Sequence, residues 1–519
     1  MKNKKQLSVN LLANIMSFSI GIGVSFLLTP FLIKHIGKEA FGFYPLANNF
    51  VAYINLLVIA LNSMAARFIM LEVMKKDFAK ANIYFNSVFF SNIIMICLLF
   101  IPLCLIVFFI ESFLDIPVGL EGEVKTLFIF IFLTFLISVL GSVFSVAPIS
   151  MNRIDLDSYQ KIIQSGLRAV LFIALFALFA PSIIYVGIVS FSVSVIGSII
   201  AIYYTKRLLP KIHLSFSYFN KTVVKELLSS GVWGSFNHLS VILLTGLDLL
   251  IANIFFGAAK AGEYSIAQTV PIFIASLIGM LVSVFVPPLA ARFAKNDVNG
   301  LVSEIKFSSK VLGILISVPI SGFIVFGDVF YRLWVPSEDA DYLHLLSIIM
   351  MGPYLINGSI NVLFNVNTIL NKVKVPSIML FVTGIINVPL VFLLINFTNL
   401  GLLGIAISST SLSVIRNSIF TPIYPALCLG RKWSTFYGLI IRNLGAMSLL
   451  VFLFYCIKGI VHINQWTDLV AISCACALIG YITSVLITLN RHDLRGIKEM
   501  LITKLFRKDQ SKGEYKRSI

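Results

Sequence analysis

Four arginines and one aspartate of this chain stand where charge is expensive. Arg67, Arg168, Arg416, Arg442 and Asp248 all fall inside long apolar runs. A charged side chain at mid-bilayer costs from about 2.5 kcal/mol upward, so such residues pair, snorkel, or mark the path of an ion or substrate. Arg416 is the deepest, and Arg168 lies about two turns into its run. Arg67 and Arg442 lie close enough to the ends of theirs for snorkelling. Four cations against one acid leave an excess of positive charge. That suits an anionic ligand such as a phosphate or pyrophosphate, which a guanidinium grips through its planar fork of donors. Arg416, Arg168, Arg67 and Arg442 are therefore the candidate pyrophosphate contacts. Asp248 has two open readings: a site for a coupling ion, or a neutralising partner for Arg416.

Neutral polar residues form stripes at helical spacing. One run carries Asn10, Asn14, Ser17, Gly21 and Ser25, and the next carries Asn48, Asn55 and Asn62. Later runs carry Ser235, His238, Thr245 and Asp248, then Asn357, Asn361, Asn365 and Thr368. Each stripe could be spent on hydrogen bonds between packed helices, worth about 0.6 kcal/mol apiece. Four stripes in corresponding places favour a shared hydrated cavity, lined by Asn14, Asn48, Asn55, Asn62, His238, Asn361 and Asn365. Asp339-Ala340-Asp341 has the form of a metal-binding pair but is expected to be a solvated loop. Glu121 and Glu123 have no partner arrangement that argues for glycoside chemistry. No phosphate-binding glycine loop occurs. The six cysteines lack metal-ligand spacing and read as buried free thiols, so no metal or cofactor is expected.

These residues need a scaffold that crosses a membrane many times. The chain is 58% hydrophobic with 12% charged residues, against about 25% charged in soluble proteins. Fourteen runs of about 20 apolar residues can be read, from 7–33 to 467–489. Alternating polarity, the mark of a transmembrane barrel, is absent. With the N-terminus in the cytoplasm, the outer segments hold only Lys34, Lys38, Lys125, Lys260, Arg332 and Lys458 of the 40 basic residues. Apart from the four intramembrane arginines, the rest fall inside, and both termini are placed in the cytoplasm. The net charge of +17 is therefore a topology signal and does not point to nucleic acid. No hydrophilic segment is long enough for a soluble catalytic domain, and the protein is not expected to be an enzyme.

The chain also repeats itself. Residues 37–47 read GKEAFGFYPLA and residues 257–267 read GAAKAGEYSIA, so Gly37, Gly42, Tyr44 and Ala47 match Gly257, Gly262, Tyr264 and Ala267. SVSVIG at 192–197 answers SLSVIR at 411–416. Six runs separate the copies, which makes the repeats parallel, related by an axis along the membrane normal. The expected organisation is an N-lobe at 1–204, a basic cytoplasmic connector at 205–226, a C-lobe at 227–430, two extra helices at 431–490 and a basic cytoplasmic tail at 491–519. Connector and tail are expected to lie on anionic lipid.

The stretch Leu28-Thr29-Pro30 through Ile36-Gly37 to Gly42, Tyr44 and Ala47 resembles the first-lobe signature of polysaccharide biosynthesis transporters. Asp248 through Gly257, Gly262 and Tyr264 to Ala267 is similar to its second-lobe counterpart, and Arg67 followed by Lys75 and Lys76 fits as well. These are the Wzx-type flippases of the multidrug/oligosaccharidyl-lipid/polysaccharide (MOP) superfamily, and the resemblance covers essentially the whole chain. It implies an all-α polytopic fold of fourteen transmembrane helices, with two six-helix repeats in a V-shaped two-lobe arrangement plus two C-terminal helices. It also implies that an undecaprenyl-pyrophosphate-linked oligosaccharide passes from the inner to the outer leaflet of a bacterial plasma membrane by alternating access. The implied destination is capsule, O-antigen or exopolysaccharide. The implied partners are that lipid-linked substrate, membrane lipids and an assembly with glycosyltransferases or a polymerase. Lipid II flippases of this superfamily use an arginine in the first span, which this chain lacks. The alternatives are a lipid II or teichoic-type precursor flippase, or a drug or metabolite antiporter on the same fold. An antiporter for cations would want acids in its cavity, where this chain has one.

Overall fold

Apolar runs this long can satisfy their backbone in lipid only by closing every N–H on its own helix. A computed structural model describes residues 2–489, and all regular structure in them is helical. The long helices are α1 (Lys2–Met74), α2 (Phe78–Phe108), α3 (Glu121–Ser142), α4 (Ile154–Leu178), α5 (Ile184–Leu208) and α6 (Lys221–Val241). They continue as α7 (Asp248–Ser283), α8 (Val298–Trp334), α9 (Ala340–Ile360), α10 (Lys374–Phe397), α11 (Leu402–Cys428), α12 (Tyr437–Lys458) and α13 (Trp466–Thr488). Twelve stretches among the described residues are long and apolar enough to cross a membrane. Two of them, of 63 and 74 residues, are too long for one crossing each, since about 20 residues suffice. The remaining two of the fourteen expected spans would have to come from dividing these. The basic tail at 491–519 lies outside the described residues.

Both long stretches break at the first glycine of the sequence repeat. Gly37 has φ 80° and ψ 161°, and Gly257 has φ 83° and ψ 172°. Only glycine occupies this region readily, because a Cβ would clash with the backbone. The second glycine of each copy has a different use. A Cβ on Gly42 would lie 3.1 Å from the Cα of Gly262, and one on Gly262 would collide with the Lys38 carbonyl. The two copies therefore meet backbone to backbone, with Lys38 Nζ 3.0 Å from Glu263 Oε1 beside them.

Two compact units account for the packing. The first comprises Met1–Ala267 and Lys374–Ser409, and the second is formed from Gln268–Val373 and the chain from Thr410 onward. In the first, the C-terminal half of α1 runs along α6: a Cβ on Gly231 would strike the Ala60 carbonyl, and Ser235 Oγ donates to Leu56 O at 3.1 Å. Gly384 brings α10 equally close to Ser240 and Leu243. In the second, α8 packs on α9, α12 and α13, with Val318, Phe326, Leu450 and Phe454 in its core.

The connector is a strap on α2. Asn82 Nδ2 donates to Lys211 O and its Oδ1 accepts from His213 N, at 2.9 and 2.8 Å. Asn86 repeats the pattern with His213 O and Ser215 N, at 2.8 and 2.9 Å. The thiols differ from expectation too. Only Cys476 is buried, while Cys428 is half-buried and Cys97, Cys104, Cys456 and Cys474 are exposed on apolar helices. In a lipid-facing surface a thiol needs no protein cover, which is why burial did not follow from hydrophobicity.

Candidate functional site

The helical path from α6 to α7 does not run through regularly. Between them Ile242–Gly246 form a π-turn, and Asp248 begins α7. A π-turn shifts the hydrogen-bond register and leaves carbonyls for other donors, a feature common at functional sites. Here Asn387 Nδ2 donates to Leu243 O and Leu244 O at 3.3 and 3.0 Å, and Tyr53 Oη to Gly246 O at 2.6 Å. Ser408 Oγ then donates to Asn387 Oδ1 at 2.7 Å. Asp248, 3% exposed, accepts from Tyr264 Oη at 3.0 Å and Ser409 Oγ at 3.2 Å, both on Oδ2. Its Oδ1 is buried with no hydrogen-bond partner among the described residues. A carboxylate oxygen left bare in low dielectric calls for a proton or a cation.

Arg168 occupies a separate cavity of about 330 Å³ in the same unit. Tyr44, Asn48, Thr134 and Ser138 form one part of its wall. Gln164, Ser190 and Ser194 line the rest, and none of its lining residues is acidic. Gln164 and Arg168 share a face of α4 by their four-residue spacing. The Nε of Arg168 is buried without a partner among the described residues. The arrangement is a cation in a polar chamber, with no fixed counter-charge on its walls.

The other expected contacts have varied surroundings. Arg416, half-buried in the second unit, donates through Nε and Nη2 to Asn417 Oδ1 at 3.4 and 3.2 Å. Arg442 Nη1 donates to Thr488 O at 3.3 Å, capping the end of α13. Arg67 is exposed. Asn62 is tied to Asn92 and Ser142 at 2.9 Å each, and so serves helix packing. Asn48 borders the Arg168 cavity. Asn14 is exposed and Asn55 half-buried. His238 is half-buried, with its Nε2 buried and unpartnered among the described residues. Asn361 and Asn365 are half-buried, Asn361 at the end of α9. Asp339 caps the start of α9 by accepting from Tyr342 N at 3.0 Å. No group of three or more potential metal ligands occurs among the described residues.

Sequence reading missed Tyr264, Ser409 and Asn387 around Asp248, and the hydroxyls around Arg168. Tyr264 was visible as a repeat residue, but only the fold shows that it turns back sixteen positions to meet the carboxylate. The hydroxyls had a signal, since Thr134 with Ser138 and Ser190 with Ser194 recur at one helical turn.

Residues 7–293 match the family described as polysaccharide biosynthesis protein. A curated relative, the uncharacterized membrane protein EpsK of Bacillus subtilis (strain 168), is 29% identical over 464 residues, covering 89% of this chain and 92% of the relative. The lipid II flippase MurJ in an inward closed conformation superposes with TM-score 0.65 at 14% identity, over 92% of this chain and 97% of MurJ. An inward-facing multidrug resistance MATE transporter of the MOP superfamily gives TM-score 0.62 at 14% identity, over 81% and 98%. These structural likenesses carry the fold, and the family match covers more than half of the chain. The protein is a multi-pass membrane protein that belongs to the polysaccharide biosynthesis family.

Proposed function

We propose that the protein flips an undecaprenyl-pyrophosphate-linked oligosaccharide from the inner to the outer leaflet of a bacterial plasma membrane for surface polysaccharide synthesis. The observation that carries this reading is the acid-free polar chamber around Arg168, in a chain of the polysaccharide biosynthesis family. An uncompensated guanidinium within a membrane bundle is costly unless an anion completes it. A drug antiporter for cations gains nothing from such a group.

Flipping poses one physical problem: a charged, hydrated head group must not meet hydrocarbon. In the proposed cycle the lipid tail stays in the bilayer while the pyrophosphate is neutralised by arginines, with Arg416, Arg168 and Arg67 as contacts. Arg442, already spent on a helix end, contributes least. The lobes at 1–204 and 227–430 rock about the repeat axis. The glycine contacts Gly42–Gly262 and Gly231–Ala60 are where the helices would part. Asp248 binds the driving cation, since its bare Oδ1 lies beside a π-turn that can rearrange. Membrane potential would contribute about 2.3 kcal/mol per charge per 100 mV.

The test is translocation of a fluorescent lipid-linked oligosaccharide in proteoliposomes, with Arg168→Gln and Arg416→Gln beside the wild type. Both variants should fold and flip more slowly. Wild-type rates in both would remove the arginines from the reading.

A further inference from the structure

Two apolar helix faces meet around a groove that ends at a charged pair. On α2, Phe100, Leu103 and Val107 recur at helical spacing, and on α3 so do Lys125, Ile129, Phe132 and Leu136. All seven line one cavity of about 330 Å³. Leu103, Phe132 and Leu136 are buried and form its floor, while Phe100 and Ile129 are exposed and form its rims. Lys125 to Leu136 spans eleven helical steps, so the groove runs about 16 Å along α3. That is about half of a hydrocarbon core of about 30 Å, the depth of a single leaflet.

Lys125 is the only charged residue that lines the groove among the described residues. Its Nζ lies 2.6 Å from Oε1 of Glu111, in the single turn Ile110–Phe113 that follows α2. Both side chains are partly open, at 34% and 47% exposure. Neither is used up by the other, because an ammonium has three donors and a carboxylate a second oxygen. An exposed pair of this kind contributes little to stability by itself. The nearby acids are spent inside the protein. Asp115 Oδ2 accepts from Ala258 N, Glu121 Oε2 from Gly119 N and Glu123 Oε2 from Ser182 Oγ, at 3.2, 2.7 and 2.8 Å. An apolar channel one leaflet deep, with one cation and one anion at its polar end, is complementary to a zwitterionic lipid. The phosphodiester accepts from Lys125, a primary ammonium donates to Glu111, and one acyl chain fills the groove. A trimethylammonium head group has no N–H for Glu111. An anionic head group sets like charge beside it. We propose that this groove is a binding site for a single phosphatidylethanolamine-type glycerophospholipid. The inference is independent of the flippase reading, because it concerns a resident membrane lipid and not a transported one.

The full chain, delipidated in detergent, can be titrated with phosphatidylethanolamine, phosphatidylcholine and phosphatidylglycerol of identical acyl chains, with bound lipid counted by native mass spectrometry. Phosphatidylethanolamine should saturate at one lipid per chain, at about a tenfold lower concentration than the other two need. Lys125→Gln should weaken its binding by about tenfold. Glu111→Gln should bring phosphatidylglycerol level with it. Leu133→Trp, which fills the groove and leaves both charges in place, should weaken all three lipids. Ile129→Trp at the exposed rim replaces that variant if it does not fold, and if no variant folds the preference order on the wild type decides. Equal saturation by the three lipids would overturn the proposal. So would phosphatidylethanolamine binding that is unchanged in Lys125→Gln or in the groove-filling variant. Soluble glycerophosphoethanolamine binding as tightly as the lipid would also overturn it, since the acyl chain would then add nothing. Displacement of phosphatidylethanolamine by undecaprenyl pyrophosphate at lower concentration would do the same, because the groove would then belong to the transported lipid.

Discussion

The two copies of the repeat share a backbone and part in their chemistry. Gly37 and Gly257 adopt the same glycine-only conformation, yet the tyrosine seven positions on meets opposite charge. Tyr44 borders the chamber of Arg168, and Tyr264 donates to the buried Asp248. Asp248 stands opposite Leu28 in the repeat, and it is buried beside a π-turn. The Arg168 site is a cavity of about 330 Å³ walled with hydroxyls and amides. Both copies keep a turn that residues other than glycine tolerate poorly, while one holds a buried acid and the other borders the cavity of an arginine. In the proposed cycle the first would take a cation and the second an anion. Architecture lies where the copies agree, and chemistry where they differ.

Breaking the acidic side should have the largest effect. Asp248→Asn keeps the shape and the acceptor for Tyr264 and Ser409 but removes the charge that the proposed driving cation needs. Translocation should therefore slow about a hundredfold, equivalent to about 2.7 kcal/mol, with little loss of folded protein. Proteoliposome flux against melting temperature separates the two. The turns come next. Gly257→Ala should cost about 1–3 kcal/mol from backbone strain, and more because the new Cβ would lie 2.8 Å from Asp115 Oδ2. Gly37→Ala meets no neighbour within 4 Å, so its destabilisation should be the smaller in thermal unfolding. Equal losses would show that strain alone matters. The tyrosines sharpen the contrast further. Tyr264→Phe removes a donor to a buried carboxylate, worth about 1.5–3 kcal/mol, and should lower the affinity for the driving cation. Tyr44→Phe should leave that affinity unchanged. Smallest of all, Arg442→Ala should cost about 0.5–1 kcal/mol by uncapping α13, visible in stability and not in flux.

Much of the fold was legible because lipid enforces simple rules. Apolar length marked the helices, and the repeated glycines marked the turns. Arg168, half-buried in the structure, and Asp248, which is buried, were singled out by their place inside apolar runs. What spacing could not show was how each polar residue is spent. Asn48 and Asn62 sit on one stripe, but Asn62 is consumed by Asn92 and Ser142 while Asn48 faces a cavity. A stripe fixes a helix face and not the partner helix opposite it. Partners such as Ser409 and Asn387 come from far along the chain. The asparagines of α2 were similarly opaque, since only the folded chain brings the connector backbone to Asn82 and Asn86.

The central claim is that this chain carries a lipid-linked oligosaccharide across a bilayer by means of charges set where the repeat diverges. The most direct measurement is the rate at which a fluorescent undecaprenyl-pyrophosphate oligosaccharide becomes accessible on the far leaflet of proteoliposomes. Wild-type protein should raise that rate well above protein-free liposomes, and Asp248→Asn should return it close to that background. A wild-type rate equal to background, or an Asp248→Asn rate equal to wild type, would contradict the account.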